Sequence, residues 1–248
     1  PGDEGRVSAR RHLREALAKK SVNGKQLMPH EIASKCMAGR QALSTLEGDL
    51  MDAQWVAMRE GVQAAMAEAA AAREASIVEA AGEGASLESL AALRAALPKA
   101  IDLGKLVALC DVSGSMHGQP MEACIGLGLV VSECSHPAFR DRVLTFESRP
   151  QWVDLSGCAK IADKVHRVQS AGWGGSTDFE AALMQILEAA QRVRLKPDEI
   201  PDLIVFSDMQ FDQARSDYGS HSRSWETHHE RLVRRFAEVG RKVCGEPY

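Results

Sequence analysis

At 248 residues, 45% hydrophobic and with a net charge of −4, the chain is long enough for one large domain, or a domain plus a helical appendage, around a sizeable core. No apolar run reaches bilayer-spanning length and the first twenty residues are polar and basic, so neither a membrane partner nor an export signal is expected. The cysteines (36, 110, 124, 134, 158 and 244) form no C-x-x-C pair and sit mostly in apolar patterns, which predicts free, buried thiols in a reducing, cytoplasmic setting and argues against a zinc site.

Residues 1–100 read as an all-helical segment with an alanine-rich linker. A short basic helix is expected over 7–20, then a helix in "QLMPHEIASKCMAG" with Pro29 at its first position and Gly39 as its stop. A longer helix over 42–76 places Leu43, Leu46, Leu50, Trp55 and Met58 at helical spacing. Its end dissolves into alanine, which favours helix yet buries little area, and "AGEGAS" (81–86) marks a break. Charge is unevenly spread: residues 1–40 carry nine Lys/Arg against four Asp/Glu, and residues 41–100 four against nine. The basic stretch suits either a solvated helix face or contact with nucleic acid, although it lacks interleaved aromatics.

From residue 101 to 248 strands and helices alternate. "KLVALC" (105–110) is a strand buried on both faces; a helix over 120–133 follows, with Gly126 and Gly128 allowing close approach to a sheet. "RVLTFES" and "QWVDL" are neighbouring antiparallel strands, and helices are expected over 158–168 and 177–194. The latter carries Phe179, Leu183, Ile186, Leu187, Ala190 and Val193 on one face. "DLIVFS" (202–207) reads as another buried strand, and 225–239 as a last amphipathic helix with Gly240 past its end. This alternation predicts an α/β fold with a doubly wound, mostly parallel, Rossmann-like sheet after the all-α segment. Ligands on such sheets bind at the carboxyl ends of central strands. Two strands end at an aspartate, Asp111 and Asp208, and chemistry is expected in those two loops.

Asp111-x-Ser113-x-Ser115 puts three oxygen side chains in one turn, a pattern open to a helix cap, a nucleophile or a metal seat. Hard oxygen ligands of this kind suit Mg2+, which takes six of them and keeps several waters; Mn2+ and Ca2+ are the alternatives. Downstream, "GWGGSTDFEAAL" presents Thr177 at a helix start and "IVFSDMQFD" delivers Asp208. The set Asp111, Ser113, Ser115, Thr177 and Asp208 resembles the metal-ion-dependent adhesion site of the von Willebrand factor A fold. That resemblance implies metal coordination by the serines and threonine, aspartates acting directly or through water, and a vacant position for a partner's Glu or Asp. "CDVSGSM…PMEACIGLGLVVSE", "W…STDF" and "FSDMQFDQA", after "LMPHEIA", are similar to an uncharacterised family of plant and giant-virus proteins over roughly residues 20–240. There a helical segment precedes a von Willebrand A domain, an arrangement distantly like Ro-type (TROVE) RNA-binding proteins. Set against that fold, the chain reaches Tyr248 before a last strand and helix would be expected, and its helical segment is shorter than a Ro-type repeat ring.

Several residues carry a plainer alternative. Thr177 with Glu180 makes a T-x-x-E capping box, Asp178 suits a helix first turn, and Asp212 fits a loop. His117 reads as solvent-facing, and His228 and His229 as helix-surface or packing residues beside Trp225. The chain has no G-x-S-x-G elbow, no P-loop lysine after "GWGGST" and no general base placed for Ser113 or Ser115. The expectation is therefore a non-enzymatic, divalent-metal-dependent module that captures an acidic side chain of a protein partner. The alternative is a Ro-like RNA-binding protein that uses the basic N-terminal segment, with the second domain as scaffold.

Overall fold

Strand β1 (Leu106–Asp111) is buried from its second residue to its last, as its uninterrupted apolar sequence requires. The structure, a computed structural model, describes residues 2–19, 22, 27–38, 45–82, 84–96, 103–146, 149–171, 178–208 and 221–248. Around β1 lie β2 (Arg142–Phe146), β3 (Trp152–Asp154) and β4 (Asp202–Phe206), in the spatial order β3-β2-β1-β4. β1 pairs in parallel with both β2 and β4, and β3 runs antiparallel to β2 at the edge. The protein is thus a mixed α/β fold with a mostly parallel four-stranded sheet among the described residues. Strand order reverses between β1 and β4, and the carboxyl ends of these two strands meet at that point.

Alternation along β1 assigns its side chains to two cores. Ala108, Cys110 and Val112 join one apolar cluster, Val107 and Leu109 the other. The first cluster lies under α5 (Gln119–Cys134) and α6 (Ile161–Gln169), and the second under α7 (Phe179–Val193), with α8 (His221–Val243) packed on α7. β4 departs from the sequence expectation of a buried strand. Its residues 203–206 are only half-buried, because β4 is the outer strand on its side among the described residues.

The N-terminal helices are α1 (Gly2–Ala18), α2 (Pro29–Ala38), α3 (Thr45–Ala81) and α4 (Leu87–Ala96). α2 starts at Pro29 as expected, with the Glu31 carboxylate accepting the Met28 N–H at 2.7 Å. α3 continues past its expected end at 76 and stops only before Gly82 and Gly84, both at positive φ (+76° and +81°). Among the described side chains α1 and α4 bury none fully, whereas Ile32, Ala33 and Cys36 of α2 and Met51, Trp55 and Met58 of α3 belong to the same core as β1 and α5. Docking of α2 depends on Gly126: a Cβ there would stand 2.6 Å from the Pro29 carbonyl carbon. The sequence suggested that both helix glycines face the sheet. Only Gly128 does so, against Cys110, while Gly126 admits a helix backbone.

Polar contacts fasten the same junction. Glu133 of α5, nearly buried, accepts the Trp55 indole N–H at 3.0 Å and pairs at 2.9 Å with both Arg59 of α3 and Lys164 of α6. Lys164 also reaches Asp141 at 3.2 Å. Burial opposes the charge on Lys164, yet the carboxylates of Glu133 and Asp141 outweigh it and hold its pKa above the ordinary lysine value. Asp52 of α3 accepts the Ile161 N–H at 2.8 Å and so satisfies the first turn of α6, and the His166 Nε2–H donates to the Cys36 carbonyl at 3.0 Å.

The ends of α8 and α7 also differ from the sequence reading. α8 runs on to Val243 with Gly240 inside it, because the C-terminal tail folds back there and any Cβ would collide with the backbone of Glu246 and Tyr248. Val193 is half-exposed at the end of α7 rather than on its buried face. All six cysteines are free, but only Cys36, Cys110 and Cys124 are buried; Cys134 and Cys158 are half-buried and Cys244 is exposed.

Candidate functional site

Asp111 ends β1 with only 1% of its surface exposed. Its Oδ1 accepts the Ser113 backbone N–H at 2.9 Å, closing a turn over the strand end, and its Oδ2 accepts the Ser207 hydroxyl at 2.8 Å. Ser207 directly follows β4, so one carboxylate joins the carboxyl ends of two parallel strands. Both donors are neutral, and among the described residues no lysine or arginine pairs with Asp111. Among the described residues, then, this buried carboxylate is held by hydrogen bonds and not by a counter-charge.

Beyond Asp111 the chain makes a short 3-10 turn (Gly114–Met116). That turn brings the Ser113 and Ser115 hydroxyls to 3.0 Å from each other. Two oxygens bound to Mg2+ at right angles, each at its usual distance, stand about 3.0 Å apart. The hydroxyl pair therefore has the separation of one edge of such an octahedron. Among the described residues no three His, Cys, Asp or Glu side chains cluster so as to hold a metal ion. A cation here would rest on hydroxyls, one or two carboxylates and water, a donor set that suits Mg2+ or Mn2+ and does not suit zinc.

From below, α5 holds the loop. Its Cys124 thiol lies 3.4 Å from the Asp111 carbonyl oxygen and 3.6 Å from that of Phe206, one S–H shared between the ends of β1 and β4. Gly118, at φ +86°, makes the turn into α5 with no side-chain cap, and Pro120 sits in the first helical turn, where its missing N–H costs nothing.

The structure thus brings Asp111, Ser113 and Ser115 together, and Asp208 stands next in sequence to Ser207. Thr177 and Asp212 lie outside the described residues. The cap of α7 is Asp178, whose Oδ1 accepts the Ala181 N–H at 2.9 Å, so the capping role weighed for Thr177 belongs to its neighbour. His117 and His229 are exposed. Sequence reasoning missed Ser207; a hydroxyl residue between an apolar strand and an aspartate was its signal. It also missed Cys124, which nothing in its helical pattern distinguished.

A family model described as "Domain of unknown function (DUF7788)" matches residues 105–245. Among curated proteins, "Uncharacterized protein L728" of Acanthamoeba polyphaga mimivirus is 33% identical over 197 residues, covering 79% of this chain and 27% of that protein. The chain thus spans about a quarter of the length of the curated relative it matches. No solved structure matches. Among the described residues no helix is long and apolar enough to cross a membrane.

Proposed function

This chain belongs to the family of the domain of unknown function DUF7788, with a giant-virus relative, and on that premise we propose that it is a non-enzymatic protein-binding module of von Willebrand factor A type. It captures a partner's carboxylate through a divalent cation, Mg2+ or Mn2+, seated on Ser113 and Ser115. Asp111 supplies the buried negative charge, and Thr177 and Asp208 complete the seat. A cation there would supply an electrophilic position for the incoming carboxylate. One observation carries the reading: at the switch point of the sheet, a buried carboxylate that has no counter-charge among the described residues underlies two hydroxyls 3.0 Å apart. The strand order β3-β2-β1-β4 with an antiparallel edge strand supports it.

Mn2+ titration followed by broadening of backbone amide resonances tests the seat. Saturable broadening centred on residues 111–116, 177 and 207–208 and falling off with distance from them is expected, competed by Mg2+ and lost in Asp111→Ala. Uniform broadening, or broadening that survives Asp111→Ala, rejects the proposal. Capture is tested by adding a glutamate-bearing peptide with and without Mg2+; binding indifferent to the metal would also count against it.

A further inference from the structure

Between the ends of β1 and β4 sits the Cys124 thiol of α5, a group to which the proposed seat gives no ligand role. It is 2% exposed, and its sulfur stands 3.4 Å from the Asp111 carbonyl oxygen and 3.6 Å from that of Phe206. A thiol is a weak donor with a long reach, so one S–H can lie between two carbonyls where a shorter hydroxyl would favour one of them. A reciprocal contact runs the other way. The Cys110 Sγ of β1 lies 3.7 Å from the Cys124 carbonyl oxygen, and Gly128 leaves room for it, since a Cβ there would collide with that sulfur. α5 and β1 are thus tied in both directions where the strand runs into the Asp111 turn.

The pairing of β1 with β4 runs to Cys110 and Phe206. Past that pair, the Ser207 hydroxyl on the Asp111 carboxylate and the Cys124 S–H on the two carbonyls bridge the strand ends. The first bridge uses a carboxylate that a bound cation would also draw on, whereas the second uses only backbone oxygens. We infer that Cys124 is a positioning residue of the seat. Its shared S–H fixes the gap between the ends of β1 and β4, and so sets how far Ser207 and Asp208 stand from the Asp111 loop. This inference rests on the cation seat proposed above. Mg2+ and Mn2+ are hard and take oxygen, so the buried sulfur acts through the backbone and not as a ligand. A gap already held when the cation arrives leaves less to order on binding, which raises affinity.

The test compares the full chain with Cys124→Ala, Cys124→Ser and, as a control for the loss of a buried thiol, Cys36→Ala. Free Mn2+, followed by its paramagnetic resonance signal, gives the dissociation constant at a temperature where every variant is folded. Cys124→Ala should raise it about tenfold and Cys124→Ser about threefold or less, with Cys36→Ala at the wild-type value. Without metal, amide hydrogen exchange at Val112, Ser113, Ser207 and Asp208 should quicken in Cys124→Ala and keep its wild-type rate in Cys36→Ala. Equal Mn2+ affinity in the wild type and Cys124→Ala overturns the inference and leaves the seat standing. So does a serine variant no better than the alanine one, which would make packing the cause and not the S–H. A Cys36→Ala variant weakened as much as Cys124→Ala also overturns it, as a general loosening of the core. Absence of saturable Mn2+ binding by the wild-type chain rejects the seat itself, and the inference with it.

Discussion

Asp111 combines a structural and a proposed ligand role, and the two are separable. Asp111→Ala leaves the Ser113 N–H and the Ser207 hydroxyl without their acceptor, at a cost of about 1–3 kcal/mol in a denaturant melt of the metal-free chain. Asp111→Asn retains one acceptor oxygen and should cost less, while still abolishing any Mg2+-dependent rise in melting temperature. An Asn variant that keeps the full metal-dependent rise would show that the carboxylate charge is irrelevant to the seat. Gly126 is the other decisive single residue. Gly126→Ala puts a methyl group 2.6 Å from the Pro29 carbonyl carbon, which is backbone and cannot swing away. The expected loss is about 1–3 kcal/mol by overpacking, with faster hydrogen exchange in α2, whereas an exposed helical glycine would gain from the same change. Thiol reactivity follows burial. The Cys36 thiol is pushed up to about 11 by burial and by the Asp52 carboxylate, and Cys110 is raised by its contact with Cys124 and by burial. At pH about 8, iodoacetamide should label exposed Cys244 first and leave Cys36 and Cys110 untouched until the chain unfolds, as read by peptide mass spectrometry.

At the scale of elements, Glu133 is the point where α3, α5 and α6 are joined. Glu133→Gln removes the charge that two cations share; Arg59 and Lys164 have side chains only 30% and 15% exposed. The loss should be about 3 kcal/mol, concentrated in the docking of α3, because breaking a partly buried pair leaves its partners uncompensated. The pH dependence has a definite sign. Lys164 has its folded pKa raised above 10.5, so its ion pairs contribute in full below that value and are lost as pH rises through the raised one. Lys164→Met should therefore flatten the alkaline limb of the stability profile; an unchanged alkaline limb would contradict it. How readable each element was from sequence follows from what set its limits. β1, α2, α5 and the β2–β3 pair were legible because apolar period, proline and turn residues mark them locally. The end of α8 was not, since the tail that packs on Gly240 makes a stop signal into a contact. The half-exposure of β4 was also hidden, because an apolar strand reads alike in the centre of a sheet and at its side.

Across the whole molecule, the candidate site was legible at Asp111, Ser113 and Ser115, whose spacing is local. Ser207 needed the fold, since 96 residues separate it from Asp111 and only the β1–β4 pairing brings them together. The same holds for the contact surface of α5, one side of which belongs to the sheet and the other to α2. Ile125 and Leu129 share a core with Ile32, Ala33 and Trp55, all of which precede residue 105, where the family match begins. A piece trimmed to that match would keep the Asp111 loop and lose the cover of its supporting helix. Recurrence in evolution and autonomy in folding have different boundaries in this chain. Any gene rearrangement that transplants the Asp111 loop with its supporting helix covered must carry the short helix at Pro29 with it.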